Sequence, residues 1–182
     1  MGCCEGGVVK SRVVSEVALY SALIIVTRLF KLHLHVPGSG SMVWIAIMLV
    51  ARGLSRFPAT STLIGLVVGV VASVSGIDMP PGPHQLLKYL LAGASIDALG
   101  YLIMRRLPNQ VTYALAGAAA SLSKMFSVYM VALLLSIPVF VVKAVLAYVA
   151  ALNTAFGCVA GVIAYYVVRA ALKARCGGHG RG

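Results

Sequence analysis

Apolar residues fill six runs along the chain, at about 13–30, 42–54, 59–75, 86–104, 111–136 and 144–172, and the segments between them collect proline, glycine and most of the charge. Each run reads as a membrane-spanning helix. At roughly 1.5 Å per residue, the fourth is long enough to cross a hydrocarbon core of about 30 Å, and Arg105 and Arg106 stop it. The second is short for a span, so it is tilted, begins inside the preceding loop or crosses only part of the bilayer. Between runs one and two, KLHLHVPGSGS (31–41) carries Pro37, Gly38 and Gly40, which break a helix and leave backbone able to line a cavity. Arg52, Arg56 and Pro58 mark the turn into run three, GIDMPPGPH (76–84) is a connection, and 107–110 turns the chain into run five. The pattern predicts an all-α protein: a single bundle of six transmembrane helices (13–172) between a short amino-terminal segment (1–12) and a basic, glycine-rich tail (173–182).

A few polar residues interrupt the runs. Asp97 lies inside the fourth, in LLKYLLAGASIDALGYLIMRR, Lys124 near the middle of the fifth, and Asn153 in the sixth. An ionisable group at that depth costs several kcal/mol unless a partner or water meets it, so it marks a site or pairs with an intramembrane base to hold two helices together. An intramembrane Asn bonds a neighbouring helix or contacts a ligand. Trp44 sits near the start of run two, where it belongs either to the interfacial belt or to a stack on an aromatic ligand. Small residues at four-residue spacing form seams along which helices approach closely: Ala18 and Ala22, Gly65 and Gly69, Gly157 and Gly161. The alanine seam serves packing within the bundle or docking to another subunit.

Composition agrees with the pattern. The 182-residue chain is 60% apolar, has a mean hydropathy of +0.98 and is only 10% charged, a combination that excludes a water-soluble domain of this size. Its net charge of +11 does not indicate nucleic acid, because the bases lie between apolar runs and form no stripe on a soluble domain. Topology accounts for them. With the amino terminus inside, the inner connections hold Lys10, Arg12, Arg52, Arg56, Arg105, Arg106, Arg169, Lys173, Arg175 and Arg181, ten bases, against Arg28, Lys31, Lys88 and Lys143 outside. The bias puts both termini in the cytoplasm of a multi-pass protein of the cell membrane.

The cysteines form no framework and are expected reduced: Cys3 and Cys4 near the start, Cys158 in the last run, Cys176 in the tail. MGCC opens like a myristoylation signal, but Gly6 stands where that motif wants Ser or Thr. Run one is interrupted by Glu16 and lacks a cleavage site, so it reads as helix one and not as a signal peptide. Neither His33 with His35 nor Cys176 with His179 reaches the ligand number a metal needs, and no metal or cofactor is expected. The chain has no nucleophile elbow, HExxH, Walker A sequence or convincing internal repeat.

Helical rise places Asp97 about 12 Å from the inner charges, Lys124 about 21 Å and Asn153 about 24 Å. Asp97 and Lys124 either pair, or stand as two poles of an outward-opening cavity with Arg28, Trp44, Tyr148 and the 31–41 loop around it. Tyr101, one turn beyond Asp97, faces the same way.

This layout resembles the substrate-binding S component of energy-coupling-factor (ECF) transporters. The resemblance spans nearly the whole chain: six spans with both ends inside, AxxxA in helix one (Ala18, Ala22), the outer loop VPGSGS and the closing helix ALNTAFGCVAGVIAYYVVRAALK. WIAIMLVARGLSRFPATSTLIG followed by LLAGASIDALGYLIMRR is similar in layout to the YkoE-type branch, which handles thiamine or its hydroxymethylpyrimidine precursor. There helix four carries a glutamate where this chain has Asp97, and an aromatic follows where it has Tyr101. The resemblance implies a binding subunit without enzymatic activity, one that takes a vitamin-sized molecule from outside and docks on a membrane coupling subunit driven by two ATPases. Its substrate-binding residues would be Asp97, Lys124, Asn153, Trp44, Tyr101, Arg28 and Tyr148, with Ala18 and Ala22 facing the partner in the lipid. The alternatives are a membrane-embedded enzyme acting on a lipid through Asp97, and a structural or assembly subunit in which every polar residue is packing glue.

Overall fold

A computed structural model describes residues 5–29, 39–55, 57–75, 82–104, 109–134 and 139–177. The chain is all-helical there, with six helices: α1 (Glu5–Leu29), α2 (Ser39–Leu54), α3 (Thr60–Ser75), α4 (Pro83–Leu99), α5 (Gln110–Leu134) and α6 (Val139–Gly177). The order and number follow the six apolar runs. The boundaries differ most at the chain's two ends. α1 begins at Glu5, within the expected amino-terminal segment, and α6 runs through residue 177 into the expected tail. α2 begins at Ser39, inside the glycine-bearing loop, which settles its start in favour of one of the three options. His33, His35, Arg56, Asp78, Arg105, Arg106, Pro138 and His179 lie outside the described residues.

Local chemistry sets the start of α4. Gly82 takes φ of 155°, a conformation open to glycine, and Pro83 enters the first turn, where its missing N–H costs no hydrogen bond. At its other end α4 widens into a π-helical turn, Gly100–Met104, directly after Asp97.

Glycines fix the register of two antiparallel pairs. On α3 and α4, Gly65 faces the Tyr89 carbonyl, Gly69 faces Leu86, and Gly93 faces the Ser61 carbonyl, so close that a methyl group at 65 or 93 would overlap backbone. On α5 and α6, Gly117 meets Gly157, and Gly161 meets the Tyr113 carbonyl with the same intimacy. Without side chains at these points the backbones approach closely, which is how helices associate where apolar burial gives no drive of its own. α2 touches all five other helices and runs parallel to α6, with Ser41 against Asn153 near one end and Gly53 against Val168 near the other. Its central position explains why Trp44, Ile45, Met48, Leu49 and Ala51 are all buried.

Around an apolar core, many large apolar side chains also face outward and a set of polar ones is buried. Val14, Leu19, Leu23 and Leu29 of α1, Leu66, Val70 and Val74 of α3, and Leu122 and Phe126 of α5 are exposed, while Ser21, Ser41, Ser61, Gln85, Asp97, Ser121, Ser127 and Asn153 are buried. Among the described residues, two helical stretches, 83–103 and 147–174, are by length and composition apolar enough to cross a membrane. α2 and α3, with 16 residues each, reach only about 24 Å at 1.5 Å per residue.

Candidate functional site

The buried polar groups separate into two clusters at opposite ends of the bundle. One lies where α2 and α4 begin, at the level of Asn153, about four turns into α6. Lys124 Nζ of α5 and Ser41 Oγ of α2 each donate to Asn153 Oδ1 of α6, both at 2.9 Å, and Asn153 Nδ2 donates to the Val149 carbonyl at 2.7 Å. One carboxamide oxygen therefore joins three helices. Asn153 is 2% exposed, so the junction is an interior one.

One turn along α2 from Ser41, Trp44 packs edge-on against Tyr89 of α4, with ring centroids 4.9 Å apart. Both rings are 1% exposed. Lys88 Nζ stands 4.7 Å from the Tyr89 centroid, and the Arg28 guanidinium of α1 lies at 6.0 Å, within cation–π range. Gln85, buried one turn before Tyr89, extends the polar side of this region. The Trp44 indole N–H and the Ser121 hydroxyl are among the buried side-chain atoms of the described residues that make no hydrogen bond; Gln85 Oε1, Ser21 Oγ, Arg28 Nε and Arg52 Nε are the others. Ser121 sits one turn from Lys124 and against Gly157, one turn from Asn153. Trp44 Nε1 and Ser121 Oγ thus lie to either side of the Lys124–Asn153–Ser41 junction.

The second cluster belongs to Asp97. Its Oδ2 accepts from the Thr62 backbone N–H and the Thr62 hydroxyl, each at 2.7 Å, and its Oδ1 accepts from the Ser61 N–H at 3.3 Å. Arg52 Nε of α2 forms an ion pair with Oδ1 at 3.3 Å, without hydrogen-bond alignment, and Arg52 Nη1 donates to the Phe57 carbonyl. The carboxylate thus caps α3 from a neighbouring helix: it satisfies N–H groups that have no acceptor within α3 and places negative charge at the positive end of the helix dipole. Gly100 makes this reachable, since a methyl group there would lie 2.6 Å from Arg52 Nε.

No family model, curated protein or solved structure matches the chain.

Of the residues singled out by sequence, Lys124, Asn153, Trp44 and Arg28 come together at the first cluster. Asp97 does not join them: its described partners are Arg52, Ser61 and Thr62, so of the two readings left open for it, packing is the one its contacts match, with Arg52 in place of Lys124. Trp44 is no belt residue, because it lies inside the bundle and shows almost no surface. Tyr101 and Tyr148 are 62% and 65% exposed on the outside of the bundle and contribute nothing to either cluster. Ala18 and Ala22 are likewise exposed on α1, so their seam is open and not used for packing within the bundle.

Sequence reasoning passed over Ser41, Tyr89, Lys88 and Gln85 in the first cluster and Arg52 and Thr62 in the second. In the sequence Lys88 counts only as topological charge, Arg52 as topological charge and as part of the turn into run three, and Ser41 as part of a loop. A signal existed for Tyr89 and Gln85: with Gly93 and Asp97 they recur at four-residue spacing along α4, marking one buried face.

Proposed function

We propose that the chain is a six-span protein of the cell membrane with both termini cytoplasmic. In this reading it is the substrate-capturing S component of an ECF-type importer, binds a vitamin-sized molecule from outside, and docks on a membrane coupling subunit served by two ATPases. The apolar exterior of the bundle, the ten-to-four bias of basic residues and the order of the spans support the membrane and topology parts of this reading.

The observation that carries the capture function is the first cluster. An ammonium deep in a span is costly to keep there, and here it shares a carboxamide with a third helix, one turn from a buried aromatic pair. Few polar groups on an apolar floor are what small-molecule sites use. On the proposed topology this cluster faces outward.

The resemblance points to thiamine or hydroxymethylpyrimidine through the carboxylate of helix four. Both oxygens of Asp97 are engaged with α3 and Arg52, so ligand recognition falls instead to Lys124, Asn153, Trp44 and Arg28. The same engagement removes the support for a lipid-modifying enzyme, which needs that carboxylate as its acid or base.

Thermal-shift screening of the purified protein against thiamine, hydroxymethylpyrimidine, riboflavin and biotin tests the proposal. A true ligand at a hundredfold excess over its Kd stabilises by about 2.7 kcal/mol. Stabilisation by one compound, with recovery of a coupling subunit and two ATPases from native membranes, is the expected result. No shift with any of them and purification as a lone chain would contradict it.

A further inference from the structure

α6 outlasts its neighbours at the end of the bundle that holds Asp97. Val168 lies against Gly53, one residue before α2 ends at Leu54, and the ring of Tyr113, close to the start of α5, packs on Tyr165 with centroids 5.7 Å apart. Because α6 continues to Gly177, residues 169–177 run past the ends of α2 and α5, about 14 Å of helix at 1.5 Å per residue. They carry Arg169, Lys173 and Arg175 and no acid, and no acid follows Asp97 anywhere in the chain.

This charge differs from that of α1, which starts at the same end, since Arg28 near its finish reaches Tyr89 at the other. Residues 5–16 set Glu5 and Glu16 against Lys10 and Arg12, and Arg12 pairs with Glu16 at 3.1 Å. Asp97 in turn is taken by Arg52. Arg169 and Lys173 are exposed and make no ion pair among the described residues. The end of α6 is therefore a surface of unbalanced positive charge.

What meets that charge follows from the face that carries it. Val159, Tyr166 and Lys173 recur at seven-residue spacing with Ile163 and Arg169 beside them, so all five lie on one side of α6, and all five are exposed. Toward the carboxy end this line passes from aliphatic to aromatic to cationic. Depth in a bilayer has the same order: hydrocarbon takes the aliphatic groups, the headgroup level takes the tyrosine ring, and bases just beyond it meet acidic lipid. A nucleic acid arriving from water would engage the cations and leave the stripe behind them unused. Arg169 and Lys173 are about 6 Å apart along the axis, so both stay within a Debye length of the surface. We propose that the end of α6 binds acidic phospholipid head groups of the cytoplasmic leaflet, with Arg169 and Lys173 on the phosphates and Tyr166 at the headgroup level. This rests on the membrane topology proposed above and is independent of solute capture.

The test reconstitutes purified full-length protein in nanodiscs made of phosphatidylcholine and phosphatidylglycerol in equal amounts, and native mass spectrometry counts the lipids it retains on release. Phosphatidylglycerol should be retained over phosphatidylcholine by about tenfold or more, a difference of about 1.4 kcal/mol. Arg169→Gln combined with Lys173→Gln should bring that ratio to within about threefold of unity. Exchanging the two bases, Arg169→Lys with Lys173→Arg, should keep it, and Arg12→Gln, which removes a base already paired with Glu16, should leave it unchanged. The substituted side chains are exposed, and the single variant Lys173→Gln, with an intermediate ratio expected, serves where the double one unfolds. Equal retention of the two lipids by the wild-type protein, or a preference that survives in the double glutamine variant, overturns the lipid assignment and leaves the membrane reading standing. If that variant keeps its lipids and instead loses a co-purifying protein, the surface belongs to a partner subunit and the assignment falls as well. Protein that does not enter the nanodiscs overturns both the assignment and the membrane reading.

Discussion

At the scale of single residues, the two ionisable groups set within apolar runs have different fates, and the cause is what each can reach. Asp97 lies level with the start of α3, where backbone N–H groups lack acceptors, and Arg52 at the end of α2 approaches across Gly100. Lys124 lies far enough along α5 to meet Asn153 instead. Removing one member of a buried ion pair leaves the other uncompensated, so Asp97→Asn should lower stability in detergent by about 3–5 kcal/mol, measured by thermal unfolding; an unchanged melting temperature would contradict the capping role. Trp44 should emit at the short wavelengths of a buried indole and resist iodide quenching, as its 1% exposure requires. The sequence made Asp97, Lys124, Asn153 and Trp44 visible, because polar or bulky residues inside apolar runs are conspicuous. It did not reveal their partners. Arg52 and Ser41 lie close to the ends of the runs, where a charge or hydroxyl carries no sign of which helix it will face.

At the scale of elements, the helices could be read from sequence and their contacts only in part. Apolar runs give the six helices because backbone groups away from water must bond within their own segment. The ends were less legible, since helical geometry continues beyond the apolar stretch, in α1 back through Gly6 and Gly7 and in α6 into the basic tail. Two glycine seams announced close packing, and both are used, Gly65 and Gly69 against α4, Gly157 and Gly161 against α5. Gly117 belongs to no GxxxG or AxxxA pair, its four-residue neighbours being Tyr113 and Ser121. Its Cα nonetheless faces the Gly157 carbonyl, so Gly117→Leu should force α5 from α6 and cost at least the 1–3 kcal/mol, roughly, of an overpacked core. The same substitution at exposed Ala22 should leave thermal stability within about 0.5 kcal/mol. Comparing the two melting temperatures checks that the α5–α6 seam, and not the α1 seam, holds the bundle together.

At the scale of the whole molecule, the bundle has an apolar outside, a polar capping cluster at one end and a cationic, aromatic cluster at the other. This division of labour was not legible in the sequence, because depth along a helix was readable there and rotation about its axis was not: Tyr101 and Tyr148 share depth with the polar groups but face outward. The open Ala18–Ala22 face is the surface proposed for docking, so Ala18→Leu should abolish recovery of the coupling subunit and leave ligand binding intact. The central claim is that solute is held at the Lys124–Asn153 junction and not at Asp97. Titration calorimetry of Lys124→Met and Asp97→Asn, with the compound that most stabilises the wild-type protein, tests this directly. Loss of about tenfold or more in affinity in the lysine variant, with the aspartate variant within about threefold of wild type, is predicted. Affinity lost in Asp97→Asn and retained in Lys124→Met would contradict it.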